Sequence, residues 1–287
     1  MSVTGLVIAA FGKRYDVELE DGRQISCVTR GKKSDLACGD RVEIKLTADA
    51  EGVVENILPR RSLLYRSNEY RKKLLAANAT QIVIVAAVEP AFYADLINRC
   101  LIAAETAGIK ALILLNKNDL PGADAALEKL QAFRALGYDV LPLSAKRDVT
   151  QLSARLHGHG SVLVGQSGMG KSTLVNALIP DAKTRTREIS AALDSGKHTT
   201  TAARLYHLDT ESDLIDSPGL QEFGLNHLSA DEMEQAFIEF RPYLGKCRFN
   251  NCRHVQEPDC AVLNAMRDGK ISEQRVQSYQ KLLAELA

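Results

Sequence analysis

Eight consecutive residues, Gly165-Gln166-Ser167-Gly168-Met169-Gly170-Lys171-Ser172, have the spacing G-x-x-x-x-G-K-[ST]. Glycines at this spacing let a backbone fold tightly with its N–H groups turned toward phosphate oxygens, and a helix starting at the end of the loop adds partial positive charge. Lys171 can reach the β- and γ-phosphates of a nucleotide, the Ser172 hydroxyl is a ligand for Mg²⁺, and Thr173 belongs to the same turn. A second group, Asn116-Lys117-Asn118-Asp119, has the pattern of a guanine reader. The Asp119 carboxylate can accept hydrogen bonds from the ring N1–H and the exocyclic amine of guanine, neither of which adenine offers on that edge. Asn116 and Lys117 would support the pocket and cover the base, and Ser144-Ala145-Lys146 would bring a backbone N–H near the guanine O6. In Asp216-Ser217-Pro218-Gly219 the carboxylate would approach Mg²⁺ through water and the glycine N–H the γ-phosphate. Between these loops, Gly196-Lys197-His198-Thr199-Thr200-Thr201 stands where a switch segment closes on the metal and γ-phosphate, with Thr199 and Thr200 as the candidate ligands. Many phosphate-loop hydrolases orient the attacking water with a Gln directly after the D-x-x-G glycine, but this chain has Leu220. Gln221, His198 or a partner's group would have to act instead, which predicts slow intrinsic hydrolysis accelerated by a partner.

A separate cluster lies near the C-terminus. Cys247, Cys252, His254 and Cys260 place three thiols and one imidazole within 14 residues. Cys3His is a standard tetrahedral Zn²⁺ set, and with all four positions filled by protein the site would be structural. Arg248, Phe249, Asn250, Asn251 and Arg253 around it suit contact with RNA. Cys27, Cys38 and Cys100 are scattered and read as packing residues.

The elements that must carry these loops alternate strand and helix. Apolar runs Gln81–Val88, Ala111–Leu115, Val140–Leu143 and Val162–Val164 are spaced by helical stretches such as Ala94–Ala107 and Ala123–Leu136. Continuous Val/Ile/Leu runs are expected of strands buried on both faces of a parallel sheet. Ala203–Leu208 and Asp213–Ile215 are close enough to form an antiparallel hairpin at one edge. Each chemical group follows a strand, the place where open α/β sheets bind ligands. The chain order is permuted, because the guanine reader precedes the phosphate loop. A site built from strand ends depends on spatial order, so permutation leaves it intact. It also ties the segment after Gly219 directly to the C-terminal residues, which makes that module a plausible reader of nucleotide state.

Residues 1–62 have a different texture: five short β-type runs separated by turn signals, which suggests an OB-fold barrel, with an SH3-like barrel the alternative that strand count does not separate. The stretch 63–77 reads as a basic linker. With its approach from Pro59, the run to Lys73 holds six basic residues against Glu69 alone, suited to phosphate backbone. Residues 78–222 would form the permuted nucleotide domain and 223–287 a helical zinc-binding domain, with Ser229-x-x-Glu232 as a capping box opening a helix that ends near Pro242. The 287 residues allow two or three domains, and 45% hydrophobic with 25% charged residues excludes long disorder. Lys+Arg and Asp+Glu are both 36, which excludes a uniformly basic nucleic-acid coat but not a local patch. The longest apolar strip, Ile82–Val88, has seven residues where a membrane span needs roughly 20. The first residues lack a basic region ahead of the apolar ones and read as a strand, so the expected location is the cytoplasm.

With these residues placed, the chain resembles the RsgA (YjeQ) family of circularly permuted GTPases that depend on the small ribosomal subunit. The resemblance rests on Gly165–Ser172, on G-[RK]-H-T-T-T at Gly196–Thr201, on Asp216–Gly219, on the C-x4-C-x-H-x5-C cluster and on the run His254–Val262. Lys197 replaces the commoner Arg. What the resemblance implies is a multidomain α/β protein: an N-terminal OB-like β-barrel, a circularly permuted P-loop GTPase domain and a C-terminal helical zinc-binding module. It implies a GTPase, for which the residues above supply one structural Zn²⁺ site and Mg²⁺ with GTP or GDP, and the expected state is a monomer. It would bind the small (30S) subunit and its 16S rRNA near the decoding region and assist late maturation. Hydrolysis would be stimulated by the subunit and coupled to release. The rival is a nucleotide-gated rRNA-binding module in which hydrolysis is incidental. A regulator acting on proteins alone does not account for the barrel, the basic stretch and the metal cluster.

Overall fold

The computed structural model describes residues 2–30, 35–67, 72–179, 203–217 and 224–286. Five strands open the chain: β1 (Ser2–Phe11), β2 (Arg14–Leu19), β3 (Gln24–Thr29), β4 (Arg41–Ala48) and β5 (Glu51–Ile57). Their alternation is strict where it can be seen most simply: in β2 Tyr15, Val17 and Leu19 are buried while the residues between are not. The inward set, with Val7, Ile25, Cys27, Val42, Ile44 and Val54, fills one small core. Pairing runs β1-β2-β3-β5-β4 and returns from β4 to β1, with β3 and β5 parallel. That closed Greek-key order is the OB arrangement.

The 63–77 stretch, expected as a linker, is instead a two-stranded antiparallel hairpin of β6 (Leu63–Ser67) and β7 (Lys72–Ala77). Leu64 and Leu75 are buried in the large core, so the backbone of Arg66, Lys72 and Lys73 belongs to a ribbon with an apolar root, while Arg71 lies outside the described residues. The charges of this stretch suggest a linker, but its buried leucines root it as a ribbon in the core.

The sheet that follows contains β8 (Gln81–Ala87), β9 (Lys110–Asn116), β10 (Asp139–Pro142), β11 (Gly160–Val164), β12 (Ala203–His207) and β13 (Asp213–Asp216). Their order is β10-β9-β8-β11-β13-β12, parallel except for the β12–β13 hairpin. β8 is buried at every residue, as a central parallel strand should be. Helices α1 (Ala94–Ala107), α2 (Ala123–Ala135), α3 (Thr150–Leu156) and α4 (Lys171–Leu178) cover the faces. The hairpin forms where expected but is not at an edge, because β12 pairs with β1 at Ala9↔Arg204 and Ala10↔Ala203. β1 pairs with β4 from Ser2 to Leu6 and then exchanges β4 for β12, while it stays paired with β2, across a register shift between Val7 and Ala9, as far as Phe11. Barrel and parallel sheet are therefore one 11-stranded sheet.

The C-terminal part holds α5 (Ala230–Ala236), a 3-10 turn at Arg241–Tyr243, α6 (Ala261–Arg267) and α7 (Glu273–Ala284). The capping box at Ser229 and Glu232 is present, with both reciprocal hydrogen bonds. The helix it opens ends at Ala236 and not near Pro242, because Phe237 leaves helical geometry. That turn sends Phe237 and Phe240 into the core, where their rings lie 5.3 and 5.1 Å from that of Tyr279. Aromatic burial outweighs the small cost of ending a helix one turn early.

Candidate nucleotide site and metal centre

β8 and β11 are neighbours although the chain between them runs out to β9 and β10 on one side. This reversal is the switch point where a ligand crevice opens at the strand ends. Three loops meet there, and the side chain of Asn116 joins them. It is 2% exposed. Its Nδ2 donates to the Met169 carbonyl of the phosphate loop at 2.9 Å, while its Oδ1 accepts from the N–H groups of Lys117 at 2.8 Å and Ala145 at 3.0 Å. The Lys117 ammonium donates to the carbonyls of Glu89 and Gly168. Its backbone is left-handed at φ 60°, which turns the side chain back over the phosphate loop. Gly170 must be glycine: at φ 94° a Cβ would stand 2.3 Å from Asn116 Nδ2.

Asp119 is exposed at the mouth of the site. A hydrogen bond from Ser144, before the weaker pull of Arg147 and Lys146, holds its carboxyl below the usual range, so it is an acceptor at neutral pH, as reading guanine requires. The Ala145 N–H is engaged by Asn116, and the Lys146 amide has no partner among the described residues, so of the two only the Lys146 amide is free to donate to a base oxygen.

On the phosphate side, Lys171 is buried and donates to the carbonyls of Gly165 at 2.7 Å and Gln166 at 3.0 Å. Burial lowers its pKa, and Asp216 opposes that shift. Asp216 is buried too, and its pKa is pushed up to about 6 by burial against the opposing Lys171 charge. Its Oδ1 has no hydrogen-bond partner among the described residues. A buried carboxylate oxygen without a partner among the described residues, beside a lysine, with the Ser172 hydroxyl on the neighbouring phosphate loop exposed, fits a magnesium nucleotide, whose ion would supply the charge that burial leaves unbalanced. Ser217 fixes the end of β13 by donating to the Leu163 carbonyl at 2.6 Å. Ser167 and Thr173 are exposed. His198, Thr199, Thr200 and Gly219, with Leu220 and Gln221, lie outside the described residues.

Sequence reasoning missed the loop after β8. Glu89 supplies the carbonyl that holds Lys117, and a Cβ on Gly168 would lie 3.4 Å from the Pro90 ring. The available signal was its position: it follows a central apolar strand, as the other site loops do.

In the C-terminal module, the ligand atoms of Cys247, Cys252, His254 and Cys260 all lie within 4.8 Å of one another. His254 Nδ1 faces the three sulfurs at 3.6, 3.5 and 3.2 Å, while Nε2 lies 3.3 Å from a Glu234 carboxylate oxygen. A carboxylate behind the imidazole is the usual outer partner of a metal-bound histidine. Burial raises the Cys252 thiol to about 12 and moves Cys260 the same way, so a cation among them is what would hold them as thiolates. Burial also lowers the His254 pKa, against Glu234 and Glu257, leaving a neutral ligand. The donor set fits a metal ion. Cys27, Cys38 and Cys100 are buried in the apolar cores, as packing residues should be.

A barrel fused to a P-loop sheet whose guanine-reading loop precedes its phosphate loop, followed by a helical module with a Cys3His cluster, defines a circularly permuted GTPase. The RsgA GTPase family matches residues 57–226. The chain is 56% identical over 283 residues to the small ribosomal subunit biogenesis GTPase RsgA of Nitrosospira multiformis, covering 98% of this chain and 90% of that one. It is 52% identical to the protein of that name from Nitrosomonas europaea, over 99% and 92% of the two chains. This chain belongs to the RsgA GTPase family. Its fold is similar to that of YjeQ from Thermotoga maritima, at TM-score 0.73, 30% identity and coverage of 100% and 99%. It is also similar to that of YloQ, described as a circularly permuted GTPase, at TM-score 0.71, 28% identity and coverage of 100% and 95%.

Proposed function

We propose that the protein binds the small (30S) ribosomal subunit through its 16S rRNA and assists late maturation. In this reading it hydrolyses GTP to GDP and phosphate, and the subunit stimulates the reaction. The observation that carries the nucleotide assignment is the Asn116 side chain, whose three hydrogen bonds hold the guanine loop, the Ala145 loop and the phosphate loop as one unit. The ribosomal assignment follows from what the relatives are named for. In this reading Asp119 reads guanine and Lys117 covers it. The backbone from Gly165 to Gly170, with Lys171, Ser172 and Thr173, cradles the phosphates. Ser172 would ligate Mg²⁺ and Asp216 would approach it through water, and the ion would supply charge neutralisation at the phosphates. Thr199, Thr200 and the Gly219 N–H close on the γ-phosphate, and His198 helps to place water. Cys247, Cys252, His254 and Cys260 hold one structural Zn²⁺. The protein acts as a cytoplasmic monomer; no helix among the described residues is long and apolar enough to cross a membrane.

A second reading, in which hydrolysis is incidental to nucleotide-gated rRNA binding, is favoured by Leu220 at the water-orienting position. GTP turnover measured with and without purified small subunits separates them. Stimulation of ten-fold or more on adding subunits is expected, and no change would favour the second reading. Asp119→Asn should shift preference from GTP toward XTP in the same assay, and an unchanged preference would count against the base assignment.

A further inference from the structure

The loop Val88–Tyr93 leaves the nucleotide site and becomes α1. At its start, the Val88 N–H donates to the Asn116 carbonyl at 3.2 Å, and Glu89 shares the Lys117 ammonium with the phosphate-loop carbonyl of Gly168. Any movement of the phosphate loop or of Lys117 as a nucleotide enters is therefore felt at the root of α1. The helix itself lies between β8 and β9 on one side and α5 on the other, and Leu96, Ile97, Cys100, Leu101 and Ile102 are among its buried residues. A helix packed on both sides moves as a rod, because close-packed interiors transmit displacement more readily than they absorb it.

The polar residues of α1 recur at helical spacing, and their partners lie in the C-terminal module. Asp95 pairs with Lys281 at 3.3 Å. Asn98 donates to Ser278 at 3.1 Å and accepts from Arg275. Arg99 forks onto Glu285 at 2.8 and 2.5 Å. Glu105, at the far end, pairs with Arg241 at 2.7 Å. One helix thus meets the nucleotide loops at one end and carries three ion pairs to the C-terminal module along its length.

We propose that α1 transmits nucleotide occupancy to the C-terminal module, with Lys117 as the positioning residue at the nucleotide end and Asn98 and Arg99 at the module end. The inference rests on the nucleotide reading above. Coupling is reciprocal: if nucleotide tightens the contacts of α1 with α7, then loosening those contacts must weaken nucleotide binding in the intact chain. The experiment uses full-length protein and GDP. Hydrogen exchange is followed over α7, and GDP affinity is measured for the wild type, Arg99→Ala and the milder Lys281→Ala. Arg30→Ala, which removes an exposed pair with Glu55 on the barrel, is the control. GDP should slow exchange in α7 of the wild type and of Arg30→Ala. In Arg99→Ala the slowing should vanish and GDP affinity should fall about five-fold or more. Lys281→Ala should show the same change in smaller measure. Exchange in α7 that ignores GDP while GDP binds, or full GDP affinity in both α1–α7 variants, would overturn the link and leave the nucleotide reading standing. Failure of the wild type to bind GDP would overturn both.

Discussion

Two appendages flank the nucleotide domain, and they are joined to it by different kinds of bond. The barrel is joined mainly through main chain, with the side chains of Asn78 and His207 adding bonds to Gly39 and Glu18: β1 continues onto β12, the Ala77 N–H donates to the Cys38 carbonyl at 2.8 Å, and Gly39 lies against the Ala77 carbonyl. The C-terminal module is joined through side chains, by the ion pairs on α1 and by Arg275, which is 5% exposed and bonds both Asn98 and Glu239. Backbone pairing tolerates little tilt and, away from close approaches such as that of Gly39, depends little on particular residues. Side-chain pairing depends on individual residues and can change partners. The barrel is thereby held at a set bearing to the sheet, and the C-terminal module is the part whose docking a nucleotide can adjust.

Four experiments break or sharpen that contrast. The largest effect should come from metal removal, because apparent Zn²⁺ binding in small structural sites is worth on the order of 10 kcal/mol. A chelator should abolish hydrogen-exchange protection in α6 and α7 while β8, β9 and β11 stay protected. Loss of protection across the whole sheet would show that the module is not a separate unit. Next, Arg275→Ala strands the buried Glu239 carboxylate and should cost about 3–5 kcal/mol in denaturant unfolding, whereas Arg275→Met with Glu239→Leu should recover most of it. On the barrel side, a Cβ on Gly39 would stand 2.3 Å from the Ala77 carbonyl oxygen at φ 91°. Gly39→Ala should cost about 1–3 kcal/mol and loosen exchange at the β1–β12 joint, with α7 unchanged. The smallest effect belongs to His207, whose ring nitrogens lie 2.6 Å from Asp213 and 2.9 Å from Glu18 of the barrel. The hydrogen bond to Asp213, helped by Glu18, raises its pKa to about 9. A raised folded value means that the contribution is whole below the ordinary pKa near 6.5 and is lost as pH rises through about 9. Because the pair is solvent-screened, His207→Gln should cost about 1 kcal/mol or less at pH 7 and nothing at pH 10.5. A cost that did not change with pH would assign His207 to packing.

Much of this molecule could be read from local pattern. The five barrel strands follow from alternation, the parallel strands from continuous apolar runs, and α1 was legible with both its ends, because these signals repeat along the chain within a few residues. The candidate nucleotide loops could be placed at strand ends because a phosphate loop follows a strand at fixed spacing, and the Cys3His cluster could be expected to gather because of its ligand types and separation. The failures were of one kind. The ribbon at 63–77 was hidden because its charges outnumber the two leucines that anchor it, and the early end of α5 because the partner that draws Phe237 inward, Tyr279, is far along the chain.

The sequence alone therefore determined the inventory of this protein: which loops are candidates for nucleotide or metal, which strands precede them, and the permuted order in which they come. Only the tertiary structure decided how those parts are joined. That β1 pairs at once with the barrel and with β12, that Asn116 gathers three loops, that Glu89 holds Lys117, and that α1 faces α7 across Arg99 and Arg275 are all contacts between residues distant in the chain. Such contacts leave no periodic mark, because each is selected by the space left after the local elements have packed and not by the neighbours of either residue.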